Sequence, residues 1–275
     1  MVSRLEDAAR LDRAVKPVQK AARRLRPGRV RDVLHGVWLG HPVHPMLVQA
    51  VIGSWASAGI LDLWPGDGRG ARRLVGFGLI ASAPAVLAGT ADWSEQHEQQ
   101  MRVGLVHALA NLSAVGLYSA SLAAHARSLS RTLRYAGLAA VGIGGLLGGH
   151  ISFRQPGGAN HAESVPHLVE PDWHELVAID ELPEGRPVRR LLGEVPLLVV
   201  REEESVWVLA DRCSHLSGPL SDGAIEDDCV TCPWHGSGFR LRDGVVIRGP
   251  AAAPQPAFET TVVDGRLHVR LPGAG

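Results

Sequence analysis

Cysteine is scarce in this chain: its 275 residues hold three, Cys213, Cys229 and Cys232. If two of them serve a metal, no intramolecular disulfide remains, which fits a reducing compartment. An excess of charge of either sign is missing too, with 28 Lys and Arg against 28 Asp and Glu. The balance is uneven locally, because residues 1–31 hold ten Lys or Arg against three Asp or Glu. That basic stretch has no aromatic residue to stack on a base, so nucleic acid is not an expected partner. Attraction to anionic lipid, or a merely solvated amphipathic helix, accounts for it instead. An apolar core near the N-terminus is also absent, and no cleavable signal peptide is expected.

Long apolar runs are present. Four stretches, 45–64, 73–91, 103–124 and 133–152, are rich in Ala, Gly, Leu and Val and nearly free of charge. Each approaches the roughly 20 residues that a helix needs to cross a bilayer core. The loops between them are too short to supply a polar envelope. The expectation is an all-α four-helix transmembrane bundle of antiparallel neighbours. Small-residue ridges at Gly144 and Gly148, and at Gly145 and Gly149, allow close helix approach and a homo-oligomer through the helices.

Past a Pro- and Gly-containing stretch the pattern changes to short alternating runs bounded by turn residues. Strands are expected at 175–179, 188–192, 196–200, 206–210, 223–226, 229–231, 244–248, 258–263 and 266–270. Val263-Asp264-Gly265-Arg266 is a hairpin signal. These argue for an all-β antiparallel sandwich or small barrel. The organisation is therefore multi-domain: a basic tail over 1–35, the helical domain over 36–155, a flexible linker over 156–171 and the β domain over 172–272.

Two motifs in the β domain carry chemistry, Cys213-Ser214-His215 and Cys232-Pro233-Trp234-His235. Each offers one thiolate and one imidazole, so two loops deliver two sulfurs and two nitrogens. A structural zinc takes such a set, but usually from C-x2-4-C and H-x3-5-H pairs rather than mixed ones. A 2Fe-2S cluster of the Rieske kind has two Cys on one iron and two His on the other. The turn-forming flanks Leu216–Leu220 and Gly236–Phe239 would let backbone N–H groups approach bridging sulfides. The pattern resembles the Rieske iron–sulfur domain. That resemblance implies a 2Fe-2S cluster on Cys213, His215, Cys232 and His235, with Leu216, Trp234, Gly236, Ser237 and Pro250 around it. Pro250 belongs to Gly249-Pro250-Ala251, which resembles the proline loop covering the cluster. Where the quinol-oxidising branch carries an extra Cys on each loop, this chain has Gly218 and Trp234, and its Tyr is replaced by Phe239. One hydrogen-bond donor to sulfur is thus kept, at Ser237, and one is lost. A potential of roughly −150 to +100 mV is expected, within a Rieske span near −150 to +300 mV. Cys229 is expected to be a buried small hydrophobe.

Polar residues punctuate the apolar stretches. His44 opens the first, Asp92 closes the second, His107 and Asn111 share a face of the third, and His150 ends the fourth. Ionisable groups in a membrane often mark function. They could bind a b-type haem or a quinone, or simply hydrogen-bond between helices for about a kilocalorie or less per bond. With His41–Pro45 and the closing Gly148–Arg154, they resemble an uncharacterised bacterial four-helix membrane-domain family that also occurs fused to Rieske domains.

The expected function is a membrane-anchored Rieske protein carrying single electrons between a donor and a redox partner, an electron-transfer protein rather than a self-contained enzyme. A reductant for a separate oxygenase chain and a quinol-oxidising subunit are the alternatives; an oxygenase's own catalytic domain is not expected, because the chain stops at Gly275. The expected location is a bacterial inner membrane, multi-pass. Arg23, Arg24, Arg26, Arg29 and Arg31 favour a cytoplasmic N-terminus, whereas Arg69, Arg72, Arg73, Arg127, Arg131 and Arg134 in the opposite loops favour the reverse. The absent disulfide, together with the untranslocated look of the tail, gives the expectation of a Rieske domain on the cytoplasmic side.

Overall fold

A computed structural model describes residues 2–24, 28–64, 68–203 and 205–272; Arg26 and Gly275 lie outside them. The chain forms two compact units, residues 1–30 with 43–157, and residues 31–42 with 158–275.

The first unit is helical. Short α1 (Ser3–Glu6) and α2 (Asp12–Arg24) precede α3 (Arg29–His35), whose last five residues belong to the second unit. Four long helices follow, α4 (His44–Leu61), α5 (Gly68–Trp93), α6 (Glu98–Ala123) and α7 (Arg127–Gly149). Three of the four expected spans are long and apolar enough to cross a membrane: α5, α6, and α7 with its extension to Arg154. Helix α4 is the shortest at 18 residues and carries His44 and Gln49 in its first two turns.

The basic tail is docked rather than merely solvated. Helix α2 buries Val15 and Ala22. Its Asp12 accepts two hydrogen bonds from Arg102 at 2.7 and 2.8 Å, and Arg23 reaches Glu95 at 2.9 Å. The Arg102 guanidinium holds the Asp12 carboxyl below its usual range. A second buried pair joins helices α4 and α7 at their other ends. Arg134 Nε and Nη2 donate to both oxygens of Asp62 at 2.5 and 2.6 Å, and both side chains are 7% exposed or less.

Trp55 of α4 and Tyr118 of α6 stack at 4.2 Å between ring centroids, 20° from parallel. Each fits only because a glycine faces it. A Cβ on Gly78 would collide with the Trp55 ring, and one on Gly137 would lie 2.8 Å from the Tyr118 ring. The two small-residue ridges of α7 differ in use. Gly144 and Gly148 face Asn111 and His107 of α6, whereas a Cβ on Gly145 would meet nothing within 4 Å.

The second unit is built on two antiparallel sheets. Strands β1 (His174–Ala178), β2 (Val188–Leu192), β3 (Val195–Glu202), β4 (Ser205–Ala210), β9 (Ala257–Val263) and β10 (Arg266–Arg270) form one, in the order β1-β10-β9-β4-β3-β2. Strands β5 (Ala224–Glu226), β6 (Cys229–Thr231), β7 (Gly238–Arg240) and β8 (Val246–Arg248) form the other. The expected hairpin joins β9 to β10 with Val263 opposite Arg266. Its turn residues Asp264 and Gly265 both have positive φ, as a type I′ turn requires.

Strand β3 explains the two cores. Its residues alternate between them: Leu197 and Val199 join Val208, Phe258, Leu267 and Val269, while Leu198 and Val200 join Leu209, Val230, Phe239, Cys213 and Cys232. A strand covered on both faces reads as a continuous apolar run. The stretch expected to be a flexible linker is mostly exposed but anchored at three points: Val165, the first residue of short α8 (Val165–Leu168), and Val169 just after it are part of the first core, and Ala162 is buried.

Candidate metal centre

Both Cys–His motifs sit on loops with one shared backbone pattern. In the first, following β4, Cys213 N–H donates to the Gly218 carbonyl at 2.9 Å and Ser217 N–H donates to the Cys213 carbonyl at 2.8 Å. In the second, between β6 and β7, Cys232 N–H donates to the Ser237 carbonyl at 2.8 Å and Gly236 N–H to the Cys232 carbonyl at 3.0 Å. Each loop closes on itself at the same offsets, and each turns at a positive φ, 61° at Ser217 and 76° at Gly236.

The donors divide by type. Cys213 and Cys232 are buried, and their sulfurs are within hydrogen-bond reach of each other. The His215 and His235 rings are half-buried and meet edge to face, with centroids 5.0 Å apart. Backbone N–H groups of His215 and Leu216 point at the Cys213 sulfur, and those of Trp234 and His235 at Cys232. The hydrogen bond from Cys213, aided by those two N–H groups, brings the Cys232 thiol down to about 7. The same contact, with burial, pushes Cys213 up. The shift favours the thiolate at Cys232, the form that ligates metal.

Two sulfurs on one side and two imidazoles on the other are the donor pairs that a two-iron cluster of this kind takes. A Cβ on Gly218 would fall 2.8 Å from the Cys232 sulfur and 3.1 Å from the Trp234 ring, so the loops can approach only with glycine there.

The expected neighbours occupy distinct places. Leu216 is buried and Trp234 is 51% exposed. The Ser237 hydroxyl is buried and accepts from Ala251 N–H at 3.0 Å, which keeps its own proton to donate. Pro250 is buried in the loop between β8 and β9. Asp32, from the segment 31–42, accepts from Gly249 N–H at 2.9 Å.

The Rieske [2Fe-2S] domain family matches residues 172–259. The anthranilate 1,2-dioxygenase ferredoxin subunit of Burkholderia cepacia is 36% identical over 100 residues, which are 36% of this chain and 93% of that protein. Ferredoxin CarAc of Metapseudomonas resinovorans is 30% identical over 99 residues, 35% of this chain and 92% of that one. This chain belongs to the Rieske family. Among solved structures, the ferredoxin of carbazole 1,9a-dioxygenase from Nocardioides aromaticivorans IC177 aligns with 36% of this chain and 97% of its own, at 25% identity and a TM-score of 0.35. The Rieske domain carries a 2Fe-2S cluster and serves electron transfer. Residues 40–160 match a second family, described as a predicted membrane protein (DUF2231), so the Rieske domain is fused to a membrane-type helical domain.

Two supports of the Rieske loops escaped sequence reasoning. Gln255, 2% exposed, donates to the carbonyls of Ala210 and Arg212 at 2.7 and 2.6 Å and accepts from Ser214 N–H at 3.0 Å. His161, in the expected linker, donates its backbone N–H to Ser214 O at 2.9 Å, and its Nδ1 lies 3.2 Å from the Ser217 hydroxyl. Only the two prolines flanking Gln255 hinted at a fixed loop.

The polar residues of the helical unit separate into two groups. His44 and His107 face each other with ring centroids 6.5 Å apart, and Asn111 Nδ2 lies 3.1 Å from His107 Nε2. His150 does not join them. It lies in the π-helical turn after α7 and pairs with Glu6 of α1 at 2.5 Å. Asp92 is half-buried at the end of α5, with its carbonyl accepting from Glu95 N–H.

Proposed function

We propose that Cys213 and Cys232 hold one iron, that His215 and His235 hold the other, and that electrons leave through the imidazole edge. The carrying observation is the split in burial: paired thiols fully inside, paired imidazoles half-buried and edge to face outside them. When bound, the cluster supplies one-electron transfer. The buried thiols, with Leu216, Phe239 and Leu220, exclude water from the sulfur side. The imidazoles offer a docking edge, with exposed Trp234 beside it. Their ring protons can respond to a change of charge behind them.

The partner reading follows from the relatives, named as ferredoxin subunits of dioxygenases. We infer that this chain passes electrons to an oxygenase-type acceptor at the bilayer, from a Rieske domain on the cytoplasmic side. The small-residue ridge at Gly145, facing away from the other helices, supports self-association. Quinol oxidation is disfavoured by Phe239, which has no hydroxyl, and by Gly218 and Trp234, which exclude a second Cys pair.

EPR of the purified membrane protein tests the ligand set. Cys232→Ser and His235→Cys are each expected to abolish the Rieske-type signal while insertion persists; a signal surviving in Cys232→Ser removes that residue from the ligands. A midpoint potential above about +200 mV would favour quinol oxidation.

A further inference from the structure

The helical unit contains one hairpin twice. In the first copy, His44 Nδ1 lies 2.8 Å from the Ala85 carbonyl, and its ring rests on Gly89, where a Cβ would come within 2.6 Å. In the second, His107 Nδ1 lies 2.8 Å from the Gly144 carbonyl, and its ring rests on Gly148, where a Cβ would come within 3.1 Å. The glycine follows the carbonyl by four positions in both (85 to 89, 144 to 148). The aromatic follows the histidine by eleven in both (44 to 55, 107 to 118), and so does one facing glycine the other (78 to 89, 137 to 148). The duplication brings Trp55 onto Tyr118 at one level and His44 opposite His107 at the next.

The two imidazoles are prepared in the same way. A carbonyl oxygen only accepts, so each Nδ1 carries the proton and each Nε2 keeps its lone pair. Metal-ligating histidines are fixed in this manner, the second nitrogen donating to a backbone carbonyl. Two lone pairs suit an electrophile rather than an anion, and they cannot donate to a quinone carbonyl. The rings are 6.5 Å apart and 78° from parallel, a span of the order that two metal–imidazole bonds of about 2 Å each and two ring radii cover. Two protein nitrogens on opposite sides suit a centre that brings its own remaining donors. Repeat interfaces within a membrane are where such sites are found, and an apolar bundle suits a tetrapyrrole.

We propose that His44 and His107 are the two axial ligands of a haem iron at the interface of the duplicated hairpins. The Asn111 amide donates to the His107 carbonyl at 2.9 Å and lies against the His107 ring, 3.1 Å from Nε2 and 3.4 Å from Nδ1. The site stands on the helical unit alone and does not depend on the cluster.

Full-length protein in detergent, titrated with haemin, tests it. One haem per chain is expected, with the Soret and α bands of a six-coordinate low-spin centre and the EPR of bis-imidazole ligation. His44→Gly and His107→Gly are each expected to lose haem at least about tenfold and to regain it with added imidazole, while the Rieske EPR signal stays. Absence of a Soret band at equimolar haemin overturns the assignment. So does a band that persists in the double variant, or stoichiometric copper or zinc in place of haem. The EPR of the unsubstituted protein decides the ligands even if a variant fails to fold.

Discussion

Gln255 accepts a hydrogen bond from the Ser214 backbone N–H at 3.0 Å, joining two segments 41 residues apart. The same amide donates to Ala210 and Arg212, on the other side of Cys213. The first ligand loop is thereby held by one side chain of the strand-entry segment before β9. Gln255→Leu would strand three buried backbone groups. We expect it to destabilise the Rieske unit by at least about 2–3 kcal/mol and to speed cluster loss, read by thermal melting and by decay of the visible spectrum.

The ligand-loop glycines separate space from backbone strain. Gly218→Ala places a Cβ 2.8 Å from the Cys232 sulfur and should prevent cluster incorporation. Gly236→Ala meets open space but keeps a φ of 76°. It should cost about 1–2 kcal/mol while the cluster still assembles. Iron and acid-labile sulfide content of the two variants checks the contrast.

Ser237 keeps a proton to donate towards the sulfur side of the centre. Removing that donor should disfavour the more negative reduced state. A hydrogen bond stronger by about 1.4 kcal/mol in the reduced form corresponds to about 59 mV for one electron. Ser237→Ala is expected to lower the midpoint potential by up to that amount, measured by redox titration.

Arg134 and Asp62 form a buried pair in the helical unit. Arg134→Met alone leaves a carboxylate without its partner and should cost about 3–5 kcal/mol. Adding Asp62→Asn should recover much of it. Thermal denaturation in detergent would show the non-additivity.

Arg240 Nε donates to the Asp243 carboxylate at 2.8 and 3.0 Å and holds it below the usual range. A carboxyl with a depressed folded pKa contributes stability above its unfolded value, about 3.9, and loses it as pH falls through the folded one. The pair is largely solvent-screened, so the contribution is small. Asp243→Asn should lower the melting temperature slightly at pH 7, with the difference shrinking as the medium is made acid.

Much of the fold was legible because apolar period and turn residues dictate it. Nine of the expected strands correspond to observed ones, and the Val263–Arg266 hairpin formed as its Asp-Gly demands. Strand β7 was not foreseen: Gly238-Phe239-Arg240 is three residues long and directly follows a ligand loop. The ligand motifs were plain because their chemistry is local. Gln255 and Asp32 were not, because each acts across a long stretch of sequence on backbone groups that carry no side-chain signal. In the stretch 156–171 the prolines and glycines masked two anchoring residues, Val165 and Val169, too few to show a period. The hairpin duplication was written in the sequence as His44 to Trp55 and His107 to Tyr118. It was hidden because the helices are offset by 63 residues (44 to 107) in one half of each hairpin and by 59 (89 to 148) in the other, which defeats a search at a fixed period.

The two copies have drifted at one telling place. Asn111 has Val48 as its counterpart, by the same offset that relates His107 to His44. One imidazole therefore has an amide for a companion and the other an isopropyl group. Whatever sits between them meets unequal sides, and a molecule that began as twins acquires a direction.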